Sequence, residues 1–221
     1  MSASHPSAGE LPRGGSILSN RVKEAGRALL APLVRLAQRL GITPNRVTVI
    51  GFVVVIVAAG LVAAGQLLAG AVILVAGSLL DAVDGALARA TGGGTAFGSF
   101  LDSTLDRAAE AILYAGLVVY FLRTDADPIT PVVLALAALC GSFMVSYTRA
   151  KAEAIGVSAS IGLAPRTERL VLVVAGIALA GLGIEVGLIV AIGIVAALAI
   201  ATTIQRIWHV QREMTHSTEE S

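Results

Sequence analysis

Four aspartates in one short segment are the residues best suited to chemistry. Between positions 81 and 106 the chain reads DAVDGALARATGGGTAFGSFLDSTLD. Asp81 and Asp84 stand three apart, and Asp102 and Asp106 stand four apart. Either spacing puts a pair on one face of a helix. The run Gly92-Gly93-Gly94 between them lets two helices double back, so the pairs face each other. Carboxylate oxygens with no histidine or cysteine favour Mg²⁺, Mn²⁺ or Ca²⁺ over zinc. Four of them can hold two such ions, and paired ions suit phosphoryl transfer. The alternative is a set of protonated or arginine-paired acids that only pack helices, with Arg89 and Arg107 as partners.

The elements that must position these acids are apolar. Of 221 residues, 56% are hydrophobic and 14% charged, against about 25% charged in a soluble domain. Mean hydropathy is +0.83. This composition excludes a disordered chain, a nucleic-acid-binding module and an ordinary soluble enzyme. Cys140 is the sole cysteine, so no internal disulfide forms. Residues 1–19, rich in Ser, Gly and Pro, read as a flexible segment without the apolar core of a signal peptide. Residues 20–41 carry Val22, Ala25, Leu29, Leu33, Leu36 and Leu40 at helical spacing, with Arg21, Arg27, Arg35 and Arg39 mostly off that stripe. They predict an amphipathic helix on a membrane surface or on the protein's own cytoplasmic face.

Six apolar stretches come after it, at 47–64, 67–80, 111–122, 131–148, 170–184 and 186–204. The fold class is therefore all-α integral membrane. Six transmembrane helices form one domain over 42–208, and 209–221 is a cytoplasmic tail. The second and third stretches reach spanning length only by taking in their charged neighbours. Counted from the outer end at 1.5 Å per residue, Asp81 and Asp84 lie roughly 21 and 26 Å down, and Asp106 and Asp102 roughly 24 and 30 Å. All four thus reach one level in the cytoplasmic third of the bilayer. A buried acid there costs about 3 kcal/mol by insertion scales, like charges add repulsion, and divalent cations offset both. Fourteen of the sixteen Lys and Arg residues fall on the side of the termini, which predicts cytoplasmic termini and a cytoplasmic active site.

The pattern D-x2-D-G-x2-A-R-x8-G-x3-D-x3-D, filled by Asp81, Asp84, Gly85, Ala88, Arg89, Gly98, Asp102 and Asp106, resembles the signature of the CDP-alcohol phosphotransferases, with no position missing. The resemblance implies that a CDP-linked lipid, CDP-diacylglycerol, meets a small alcohol at two Mg²⁺ ions, with Mn²⁺ as a substitute. Asp81 and Asp102 would bridge both ions, Asp84 would complete one and Asp106 the other. Asp106 would also be the catalytic general base for the acceptor hydroxyl. Asn45, Arg46, Val47, Thr48, Gly85, Arg89 and Thr95 would contact the nucleotide lipid, Arg89 gripping pyrophosphate with two donors. The resemblance further implies a multi-pass plasma-membrane enzyme, surrounded by membrane lipids and forming a homodimer, with no nucleic acid.

A second cluster, Arg149, Lys151, Arg166 and Arg169, lies in SYTRAKAEA and APRTERL. Four cations beside a pyrophosphate site suggest a second phosphate, on the acceptor; the alternative is anchoring to anionic lipid. Both stretches resemble actinobacterial phosphatidylinositol phosphate synthases, which implies inositol phosphate as acceptor. The nearest rival is phosphatidylglycerophosphate synthase, with glycerol 3-phosphate. A membrane cation transporter also carries intramembrane acids, but here they group near one face. No Walker motif continues the glycine run, and His5, His209 and His216 lie near the termini, away from any Ser/His/Asp set.

Overall fold

The structure, a computed structural model, describes residues 30–159, 161–163 and 165–219. The expected segment 1–19 and the first half of the amphipathic helix, 20–29, lie outside the described residues. Every described element is a helix: α1 (30–39), α2 (Pro44–Ala63), α3 (Leu67–Ala90), α4 (Ala96–Thr124), α5 (Ile129–Ala154), α6 (Arg166–Gly181) and α7 (Glu185–Glu219).

Local sequence sets the boundaries. Pro44 sits in the first turn of α2 behind an extended Thr43, where its fixed φ suits a helix start and its missing N–H costs nothing. Gly92 and Gly93 take φ of +98° and +102°, a conformation that side chains resist, and turn the chain from α3 into α4. Thr95 caps α4: its Oγ1 accepts from the Gly98 N–H at 2.9 Å.

Four helices are long and apolar enough to cross a membrane: α2, α3, α5 and residues Glu185–Thr215 of α7. Their outward faces carry half-exposed Val53, Val57, Val72 and Val190, side chains that suit a lipid surround better than water. The stretch at 111–122 is only the outer half of α4. That helix runs 29 residues, its first half carrying Asp102, Asp106, Arg107 and Glu110, all half-buried. α6 has 16 residues and rises about 24 Å. α7 passes position 208 without a break, so the expected tail continues as helix to Glu219.

The helices pack as two trios. α2 lies against α3 and α4, and α7 against α5 and α6; the contacts α3–α6 and α4–α5 join them. Small residues allow the close approaches. A Cβ on Gly116 would stand 2.6 Å from the Ala59 carbonyl oxygen, so α4 rides directly on the backbone of α2. Leu74, Leu113, Leu117, Ile177, Leu188 and Ile192 fill the shared core.

α1 packs Leu30, Val34 and Ala37 against Val83 and Leu87 of α3. Leu33, Leu36 and Leu40, the described part of the stripe expected from periodicity, are exposed by 46%, 53% and 64%. Residues 30–39 therefore present one apolar face to the protein, while Leu33 and Leu36 point outward.

Candidate active site

α3 and α4 bring the four aspartates together across α2. Asp102 is within electrostatic reach of Asp81, Asp84 and Asp106, and Asp81 of Asp84 and Asp106. Each helix sends one acid to each of two cavities. Asp84 and Asp102 line an outer cavity of about 600 Å³. Asp81 and Asp106 line an inner one of about 40 Å³ among α2, α3, α4 and α6. Thr48 lines both. Its hydroxyl donates to Asp84 Oδ2 at 2.8 Å, and both residues are only 7% exposed.

The outer cavity gathers most of the residues expected to meet a nucleotide lipid. Asn45, Thr48, Gly85, Arg89 and Thr95 line it, with Gly93, Gly94 and Gly98. Gly98 has a steric reason: a Cβ there would stand 2.9 Å from Asn45 Oδ1 and 3.1 Å from Thr95 Oγ1. The start of α2 can thus lean on the first turn of α4. Two expected residues do not line this cavity. Arg46 is exposed, and Val47 is buried against Val83 and Leu87.

The inner cavity holds residues that periodicity did not reveal. Arg166, the first residue of α6, reaches Asp106 at 2.9 Å and Asp81 at 3.6 Å. Arginine pairing of the acids therefore comes from α6, while Arg107 donates instead to the Ser103 carbonyl. Arg169, one turn on and 2% exposed, donates to Ser142 Oγ at 3.2 Å and lies 3.8 Å from Glu110. Glu110 and Tyr114 complete the wall. Glu110 comes four residues after Asp106, so the i,i+4 rule that paired the aspartates extends to it.

The second basic cluster separates by burial. Arg166 and Arg169 face the inner cavity, whereas Arg149 and Lys151 are exposed and Arg149 pairs with Glu153 at 2.8 Å. Arg206, on α7, lies within electrostatic reach of Arg149, Arg169 and Glu153.

Among the described residues no three acidic, histidine or cysteine side chains close on one point as a ready metal cage. Arg166 draws Asp81 and Asp106 while Thr48 draws Asp84. The donor set itself fits a hard divalent cation. It is oxygen-only and four carboxylates strong, and a guanidinium already stands as counter-cation between two of them.

A family model for CDP-alcohol phosphatidyltransferase matches residues 41–210, a range that takes in both cavities and all four aspartates, and the chain belongs to that family of transferases. Among its relatives, the phosphatidylinositol phosphate synthase of Mycobacteroides abscessus is 37% identical over 191 residues, covering 86% of each chain. The archaetidylinositol phosphate synthase of Methanothermobacter thermautotrophicus is 36% identical over 171 residues, 77% of this chain and 82% of the relative. Two solved structures of the Mycobacterium tuberculosis phosphatidylinositol phosphate synthase share the fold at 33% identity. The one with CDP-DAG bound has a TM-score of 0.76 and covers 83% of this chain and 94% of its own. The one in complex with manganese and citrate has a TM-score of 0.77 and covers 82% and 88%.

Proposed function

We propose that this protein transfers the phosphatidyl group of CDP-diacylglycerol to inositol phosphate, giving phosphatidylinositol phosphate and CMP. The observation that carries the reading is the division of the four aspartates between two adjoining cavities. The outer one has the size of a ligand pocket and the Asn45, Gly85, Arg89 and Thr95 lining that suits a nucleotide pyrophosphate. The inner one has the Arg166 and Arg169 lining that suits an anionic acceptor. The names of the relatives and the ligands of the solved synthase support the same assignment.

Asn45 and Thr95 hold the nucleotide end, with Thr48 at the start of α2, while Val47 packs behind them against Val83 and Leu87. Arg89 binds the pyrophosphate, and Gly85 leaves room for it beside α3. Arg149, Lys151, Arg166 and Arg169 attract the phosphate of the acceptor. Asp106 accepts the proton of the attacking hydroxyl; the new bond forms to the β-phosphorus, and the bond to CMP breaks. Asp81, Asp84, Asp102 and Asp106 would hold two Mg²⁺ ions, or Mn²⁺, which when bound neutralise charge on the attacking and departing oxygens.

This chemistry passes a phosphatidyl group, its tails in the bilayer, from a nucleotide to a soluble alcohol, which suits acids set near one membrane face. In the same reading α2 to α7 are six spans, α4 and α6 completing the four apolar ones. The plasma membrane holds a homodimer whose termini and site face the cytoplasm. The described helix at residues 30–39 lies at that surface, and Leu33, Leu36 and Leu40 suit contact with lipid.

The small inner cavity favours one second reading, a shorter acceptor such as glycerol 3-phosphate. A product assay decides between them. Purified protein receives CDP-diacylglycerol with inositol phosphate, inositol, glycerol 3-phosphate or serine, and the lipid formed is identified. Phosphatidylinositol phosphate is expected; phosphatidylglycerophosphate alone would transfer the assignment to the second reading, and no lipid product would remove both.

A further inference from the structure

We infer that Glu110 is a positioning residue: from α4 it holds Arg169 of α6 at the wall of the inner cavity, apart from the pair that Arg166 makes with Asp106. The inference rests on the proposed transferase reading, in which Arg169 attracts the acceptor's phosphate, and gives a task to an acid which that reading leaves unused.

α4 and α6 both line the inner cavity but are not among the closely packed helix pairs. Side chains bridge the gap instead. Arg166 reaches Asp106 at 2.9 Å, and Arg169 lies 3.8 Å from Glu110. Arg169 comes three residues after Arg166, and Glu110 four after Asp106. Such steps keep each pair on one helix face, so the two contacts are parallel rungs one turn apart.

The rungs differ in duty. Asp106 accepts a proton in the proposed reaction, so its carboxylate cannot stay committed to a guanidinium. Glu110 has no such duty. The Arg169 side chain is 2% exposed and that of Glu110 15%, and charges so buried need partners. From α5, the fully buried Ser142 accepts from Arg169 Nε at 3.2 Å. From α4, Glu110 faces its Nη2. Two helices thus fix two ends of one planar group. Tyr114, one turn further along α4, lines the same cavity within electrostatic reach of both charges. Without the Glu110 charge, the next carboxylate on that face of α4 is Asp106, and Arg169 is drawn toward it and away from the acceptor.

The test uses the full chain in detergent and compares wild type, Glu110→Gln, Arg169→Ala and the double variant. In Glu110→Gln, KM for inositol phosphate should rise about tenfold, the scale of a lost partner to a charged group. KM for CDP-diacylglycerol and kcat should stay within about twofold of wild type. In the Arg169→Ala background, Glu110→Gln should add less than about twofold, because a residue that acts through another then has nothing left to hold. A full second rise there would overturn the inference and make Glu110 a direct ligand of the acceptor. A lower KM for inositol phosphate in Glu110→Gln would overturn it too, since a carboxylate that only repels the acceptor's phosphate gives that sign. Equal rises for both substrates, the mark of a general loss of structure, would do the same. If Glu110→Gln fails to bind CDP-diacylglycerol, Glu110→Asp takes its place, with a smaller rise for inositol phosphate expected and an unchanged KM overturning the inference. If the wild type makes no lipid with any acceptor, the transferase reading falls, and calorimetric binding of inorganic phosphate to the same proteins decides: weaker binding in Glu110→Gln keeps the positioning role, and equal binding ends it.

Discussion

Replacing Thr48 by valine probes the site with little change of shape. The Thr48 hydroxyl gives Asp84 a hydrogen bond of 2.8 Å where both groups are 7% exposed, so water does not readily replace it. A hydrogen bond to a charged group contributes about 1.5–3 kcal/mol, and about 1.4 kcal/mol is a factor of ten in affinity. If Asp84 binds a divalent cation, Thr48→Val should weaken that binding by about 10- to 100-fold, the range found for outer partners of metal ligands. The assay is the initial rate of lipid formation against free Mg²⁺, at saturating CDP-diacylglycerol so that nucleotide contacts do not enter. The half-saturating concentration should rise by that factor in Thr48→Val and stay near wild type in Thr48→Ser. An unchanged half-saturating concentration in Thr48→Val would show that the bond does not prepare Asp84 as a ligand.

Asp106→Asn should abolish transfer while CDP-diacylglycerol still binds, as measured by equilibrium binding of the labelled lipid; an active variant would remove the general-base role. Arg166→Ala should raise KM for the acceptor far more than for the nucleotide lipid, and equal rises would point to a general structural effect. Thorough chelation should stop turnover and added Mg²⁺ or Mn²⁺ restore it; activity that survives chelation would count against the metal site. Gly116→Ala should lower the thermal midpoint in detergent by several degrees, since a Cβ 2.6 Å from the Ala59 carbonyl oxygen forces α2 and α4 apart at about 1–3 kcal/mol.

The features legible in the sequence were local. The i,i+3 and i,i+4 spacings put Asp81 with Asp84 and Asp102 with Asp106, and the glycine run turned the helices back on each other. The contacts that escaped are between residues far apart in the chain. Arg166 meets Asp106 across 60 positions, and Arg206 meets Ile161 across 45; no periodicity encodes either. Hydropathy alone shortened α4, because Asp102, Asp106 and Glu110 lower the average of a helix that holds them half-buried beside the cavities. It also ended the last helix too soon, since Arg206 counts as a breaker of an apolar run until its carbonyl partners are seen. On α1 the spacing of Leu33, Leu36 and Leu40 was real, but the face packed on α3 is the adjacent one.

The shared wall at Thr48 has a consequence for inhibitor chemistry. A compound built on the nucleotide would fill the larger chamber without touching Asp81 or Asp106, and one built on the acceptor would find room only for its smallest groups. Joining the two requires a tether thin enough to pass a single buried hydroxyl, and a bulky linker would break the Thr48–Asp84 bond on its way through.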